Sequence, residues 1–397
     1  MRLNNRNIAL LIPLIIISIA ICMQLWVGKF PLQLFKFPVN LIVIIQLFLI
    51  IIASRIFIKK NKIIQFLSSG YAALSSLILF AFVVINMAVS PQAGHSDNIF
   101  GKIGFSDITQ SWTYALTVLY LLLSLGLVTI KRLLPLKAKN LFFFLNHFGL
   151  WIILAFGNLG QADKISILIT VPETETIWYG YDKKNNYVEP NFAIELTKFT
   201  IEFYPPKLGV FENNGKLSDP KTYQPQEIIS HQSLNILNND VYVINLIENA
   251  LVINDSIRRV TGLPEKTYVA VLKINNDTVY LQNGTEFSPP VIYEIDQNYK
   301  LVILNPEPKY FGSEIKLYTK SGITNEIHKI EVNKPLKTGN WRVYQTSYFK
   351  IPEFKGYVSV FTAVFDPWLN ATYCGIALMF IGAISLIFKR KISKKEE

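Results

Sequence analysis

The sequence predicts a membrane protein: six transmembrane α-helices plus one exported, mainly antiparallel β domain, a sandwich or a barrel. Three observations predict it. The 397-residue chain is 51% hydrophobic and only 17% charged, which is too apolar for an ordinary soluble domain. Six apolar runs, 8–27, 40–58, 71–90, 112–130, 141–160 and 369–388, reach or approach the roughly 20 residues a helix needs to cross the hydrocarbon core. Between the fifth and sixth runs the pattern changes to alternation of apolar and polar side chains, the period of half-buried strands.

The first run follows MRLNNRN, which has the look of a signal-peptide start. No A-x-A site follows and the run outlasts a typical signal core, so it is expected to be a retained span. Charge sets the topology. Segments 1–7, 55–62, 131–140 and 389–397 hold 15 Lys/Arg and two acids, a net +13, against −2 for the rest of the chain. The overall excess of +11 is therefore a set of short basic stretches at alternate helix ends, the positive-inside pattern, and not a nucleic-acid surface. It places both termini and the loops 55–70 and 131–140 in the cytoplasm. Loops 28–39 and 91–111, and residues 161–366, fall outside. IIQFLSSG (63–70) reads as a segment along the cytoplasmic interface. The organisation is then 1–62, two helices; 63–160, three helices; 161–366, the exported β domain; 367–397, the last helix with a basic tail.

Within the exported segment, FAIELTKFTIEFY (192–204), TYVAVLKI (267–274) and NEIHKIEV (325–332) alternate as strands do. Asn213-Asn214-Gly215, Asn275-Asn276-Asp277, Asn283-Gly284 and Lys337-Thr338-Gly339 supply turns between them. Residues 233–260 fit either helix or strand. After Asp366-Pro367 the chain enters the last run past Trp368, a residue type suited to the lipid interface. Ala371, Gly375 and Gly382 form a small-residue stripe there, open equally to packing within the chain and to a partner subunit.

Chemistry-bearing residues are few. Cys22 and Cys374 lie in apolar runs without a CxxC partner, and no CxxCH is present, which argues against a disulfide, a redox motif or a covalently carried c-type haem. G-x-S-x-G, H-E-x-x-H and P-loop patterns are absent. His231 and His328 read as ordinary residues of the β domain. His95, in an outward loop, is a candidate outer ligand for haem or metal. His147 stands apart, because an ionisable group within a membrane-spanning run is a functional candidate by default. It lies seven residues beyond Asn140, about 10 Å at 1.5 Å per residue. A neutral imidazole there either bonds to a neighbouring helix or ligates iron. Leu150 and Trp151 offer an apolar wall for a porphyrin, and Gly149 and Gly157 leave room for close approach. One histidine supplies one axial ligand, so a bis-histidine site needs another chain.

Four stretches in order resemble the ResB (CcsB) family of System II cytochrome c biogenesis. LNHFGLWIILAFG (145–157) is similar to that family's His-bearing helix. LSSLILFAFVVINMAVSPQ (74–92) resembles its opening helix and SWTYALTVLYLLLSLGLVTIKR (111–132) its second. YQTSYFKIPEFKGYVSVFTAVFDPWLNATYCGIALMFIGAISLIF (344–388) resembles its ending. The resemblance covers roughly 70–390. It implies a membrane subunit that binds haem b, with His147 as axial ligand and Trp151 and Gly149 beside the haem. It also implies a CcsA-type partner that supplies the second ligand, and delivery of haem for attachment to the CxxCH thiols of apocytochrome c. The chain would be a subunit of a haem-lyase complex in the bacterial inner membrane, with the β domain in the periplasm. Residues 1–58 are additional to the family pattern, and no tryptophan-rich segment of the partner type is present. Two readings compete: a membrane-anchored sensor or scaffold whose β domain binds a ligand or protein, and a transporter. The first is weakened by cytoplasmic segments too short for a signalling domain. The second is weakened by the lack of inverted repeats and of broken helices with buried acids.

Overall fold

The computed structural model describes residues 5–92, 98–134, 138–261, 263, 265–275, 277–286, 288–319, 322–351 and 356–393. The chain forms two compact units, Met1–Ile165 with Phe365–Glu397, and Ser166–Val364.

The first unit is helical. Its helices are α1 (Asn5–Val27), α2 (Val39–Phe57), α3 (Lys62–Leu67), α4 (Gly70–Val89), α5 (Ile99–Lys102), α6 (Trp112–Leu133), α7 (Ala138–Leu159) and α8 (Leu369–Ser393). Six of them, all but α3 and α5, are long and apolar enough to cross a membrane, so this is a multi-pass membrane protein. Polar residues fix where three of the helices begin. Asn61, Ser69 and Ser111 accept from the N–H of Ile63, Ala72 and Tyr114, which caps α3, α4 and α6. The expected interfacial stretch 63–70 thus splits into the short α3, a two-residue break at Ser68-Ser69 and the start of α4.

Helix α6 is the hub, packing against α1, α2, α4 and α7. Its small and hydroxyl residues allow this. Thr113, Thr117, Ser124, Gly126 and Thr129 are buried on it, and Ser75 on α4 meets Tyr120 on α6 at 2.6 Å. Leu14, Ile78, Ile85, Phe380 and Ile384 point outward; lipid is the apolar medium that accepts such side chains. The two added helices are integral to this unit. Ile51 of α2 is 1% exposed, against Gly126, and Gln24 of α1 accepts from the Trp112 N–H at 3.2 Å.

The small-residue stripe on α8 faces α7 within the chain. A Cβ on Gly149 would stand 2.5 Å from the Gly375 carbonyl oxygen, and one on Gly382 would collide with the backbone of Asn146. Asn146 Nδ2 donates to the Met379 carbonyl across this seam at 3.0 Å. Of the two uses open to the stripe, internal packing is the one the fold makes of Gly375 and Gly382.

The second unit is built of antiparallel sheets that pack as sandwiches, and no barrel closes among the described residues. One sheet holds six strands, in the order 336–338, 341–350, 357–365, 165–172, 180–182 and 187–188. A four-stranded sheet, 322–331, 308–319, 192–203 and 176–177, lies against it. Phe199 of the second sheet meets Tyr357 of the first at 4.9 Å, and Phe192 meets Trp341 at 5.6 Å. Glu173 adds a polar tie: Oε1 accepts from the Phe199 N–H at 2.7 Å and Oε2 from the Tyr357 N–H at 3.0 Å.

Two further four-stranded sheets, 277–282/268–274/239–248/232–236 and 293–294/299–304/207–212/226–227, enclose their own core. Val210, Ile236, Val243, Leu272, Leu281 and Leu301 are among its members. The ambiguous stretch 233–260 is strand throughout, in four pieces. Its turns fall where Asn and Asp tolerate positive φ, at Leu237-Asn238, Asn249 and Asn254-Asp255.

Candidate functional site

The site builds up from one helical turn. Helix α7 begins just after the basic end of α6, and Phe143 and His147 stand four residues apart on it, so they share a face. The His147 ring is stacked on the Phe143 ring, centroids 3.7 Å apart and planes 23° from parallel. His147 Nδ1 lies 3.0 Å from the Phe143 carbonyl oxygen. A carbonyl only accepts, so Nδ1 carries the hydrogen, and in the neutral ring Nε2 keeps the lone pair. No described residue bonds to Nε2. The residue is half-buried in the helical unit.

Arg132, near the end of α6, completes the arrangement. Its guanidinium carbon lies 4.1 Å from the Phe143 ring centre. His147 covers one face of that ring, so Arg132 covers the other. The result is a three-layer stack of cation, phenyl and imidazole.

The faces of α7 have different tasks. At about 100° per residue, Asn146, Gly149 and Ile153 fall on the side that meets α8. Trp151 and Asn158 meet α6: Trp151 Nε1 donates to the Leu122 carbonyl at 3.1 Å, and the Tyr114 hydroxyl donates to Asn158 Oδ1. His147 lies beside this second face, away from α8.

These placements bear on the residues singled out beside His147. Trp151 is 3% exposed and packs in the core shared with Phe48, Ile51 and Phe148. Gly149 is the close-approach point to α8. Helix packing accounts for both residue types without a porphyrin. A Cβ on Gly157 would meet nothing within 4 Å. His95 lies outside the described residues. His328 sits in a strand opposite Ile315, and His231 at positive φ in a strand approach, its N–H bonded to the Val243 carbonyl. Cys22 and Cys374 are both free and exposed. Among the described residues no group of three His, Cys, Asp or Glu gathers as a metal centre. His147 can therefore act as a single ligand and no more.

A second polar cluster, invisible in the sequence, pins the far end of α7. Asp163 accepts from the Phe37 N–H at 2.8 Å, Asn40 Nδ2 at 2.7 Å and Trp368 Nε1 at 2.6 Å. Burial raises its pKa, but those three hydrogen bonds and the charge of Lys36 outweigh burial and hold it below the ordinary aspartate value. The Asp-Pro-Trp-Leu turn thus anchors α2, α7 and α8 together at one rim, with Lys164 adding an ion pair to Asp366 at 3.8 Å.

No curated protein matches the chain. The model of the ResB-like family, a family linked to cytochrome c biogenesis, matches residues 292–358. That stretch runs through edge and interior strands of three sheets of the β unit, from 293–294 to the start of 357–365, and the match is consistent with assigning this chain to the ResB/CcsB family.

Proposed function

We propose that this protein is a haem-binding membrane subunit of the System II cytochrome c maturation machinery, with haem as its cargo and His147 as one axial ligand. The observation that carries the reading is the hydrogen bond from Nδ1 to the Phe143 carbonyl. It is the support that metal-ligating histidines commonly receive: it fixes the tautomer, orients the ring and raises the basicity of the other nitrogen. A half-buried imidazole with an unengaged Nε2, on a face that α8 leaves uncovered, fits one axial ligand to an apolar macrocycle. The other axial ligand comes from a CcsA-type partner, since no second histidine lies in the described helices.

In this reading the basic loops are cytoplasmic and the protein sits in a bacterial inner membrane. The β unit faces the periplasm, where it helps present apocytochrome c. Bound iron porphyrin supplies the vinyl groups that the CxxCH thiols attack. This chain's own residues bind, orient and shield; the subunit is not by itself the lyase.

The test is His147→Gly in the complex co-expressed with the partner, reading haem content by absorbance after purification. Haem content should fall and added imidazole should restore part of it. Unchanged haem in the glycine variant would sink the reading.

A further inference from the structure

We infer that the Arg132–Phe143–His147 stack sets the orientation of the bound porphyrin, standing it along α7 with a free carboxylate paired to Arg132, and so selects porphyrins whose carboxylates are not esterified. The inference rests on the proposed function and deepens it.

A metal on Nε2 lies in the plane of the imidazole ring. An axially ligated porphyrin lies perpendicular to the metal–nitrogen bond. The normal to the imidazole ring is therefore parallel to the porphyrin plane. Phe143 lies along that normal, because the two rings are only 23° from parallel and 3.7 Å apart. It is one turn earlier on α7, so the normal points along the helix toward its start. The porphyrin plane then runs along the helix and not across it.

Arg132 is the next layer on the same line. The two separations put its guanidinium within about 8 Å of the imidazole centre. That displacement runs parallel to the porphyrin, in the direction in which a carboxylate arm extends from the edge of the macrocycle. Held over the Phe143 ring at 4.1 Å, the guanidinium brings a planar fork of N–H donors, the group suited to two-point recognition of a carboxylate. Arg132 is exposed and no described acid pairs with it, so its charge is free for a ligand. Its neighbour Lys131 is committed, donating to the Ser68 carbonyl at 3.0 Å.

The chemistry Arg132 would recognise, an anionic oxygen, is shared by lipid headgroups. The experiment separates the two. Ferric protoporphyrin IX and its dimethyl ester are titrated into the complex of full chain and partner. The His147-dependent band is taken as the difference from His147→Gly. Wild type should favour the free acid by about tenfold, the scale of one hydrogen bond to a charged group, and Arg132→Gln should abolish that preference. Arg132→Lys, which keeps the charge but loses the planar fork of donors, should fall between, and it carries the test if Arg132→Gln fails to fold. An unchanged preference in either folded variant would overturn the proposal, leave the proposed function standing and assign Arg132 to the lipid surface. No His147-dependent band in wild type would overturn both.

Discussion

Trp368 donates its indole N–H to Asp163 Oδ2 at 2.6 Å, across 205 residues of sequence. The same carboxylate oxygen takes Asn40 Nδ2, and its twin takes the Phe37 N–H, so one side chain gathers three segments of the helical unit. Asp163→Asn replaces an acceptor oxygen by a donor facing other donors. It should destabilise the helical unit by ~1–3 kcal/mol, read as a lower thermal midpoint in detergent. The pH dependence has a definite sign. The folded pKa is depressed, so the stabilisation is present above the unfolded value near 3.8 and fades as pH falls through the folded value. The gap between wild type and variant should be flat at neutral pH and close only below about pH 4. A gap that closes near neutrality would show that Asp163 is not the group responsible.

Glycines on α7 should respond to alanine in opposite directions. At Gly149 the new methyl would stand 2.5 Å from both the Gly375 carbonyl oxygen and the Met379 nitrogen, atoms of backbone that cannot swing away. Forcing α7 and α8 apart should cost ~1–3 kcal/mol. At Gly157 the methyl meets nothing within 4 Å, and helix propensity alone should stabilise by up to ~1 kcal/mol. Thermal midpoints of the two variants, measured side by side, check the contrast. Equal effects would mean that the α7–α8 seam is not closed.

Glu173 offers a test inside the β unit. Glu173→Ala leaves the N–H groups of Phe199 and Tyr357 without their acceptor, a loss of ~2–4 kcal/mol for two bonds to a charged group. Amide hydrogen exchange should quicken in strands 192–203 and 357–365 and stay unchanged in strands 268–274 and 299–304, which belong to the other sandwich. Uniform quickening would show that the two sandwiches unfold as one.

The proposed topology can be read with an impermeant thiol reagent in intact cells. With Cys22 and Cys374 replaced by Ser, Lys183→Cys in the β unit should label from outside and Lys60→Cys in the basic loop should not. The reverse pattern would invert every statement made about which side each loop faces.

Much of this architecture is legible in the order of residues. The six spans follow from apolar runs, because backbone groups in lipid have few ways to be satisfied other than a helix; expected and observed ends agree within a few residues for most of them. The alternation in 192–204 and 267–274 gives strands, since a half-buried sheet requires that period. His147 stands out for its cost in an apolar medium. Other features stay hidden. Residues 233–260 are rich in Asn and β-branched residues without a clean period, and only their pairing partners make them strands. The stripe on α8 specifies close packing but not against what, and Gly149 and Asn146 settle it. Arg132 reads in sequence as a topology charge at a helix end, and only the fold lays it on Phe143.

The sequence by itself determined the class of the molecule, the number of its spans and the identity of the one imidazole in the oil, because hydropathy and period are local properties. Tertiary structure decided which faces of α7 are spent on neighbours and that Asp163, Asn40 and Trp368 form one knot. Those are contacts between residues far apart in the chain, and their geometry depends on how helices approach, which no local pattern encodes.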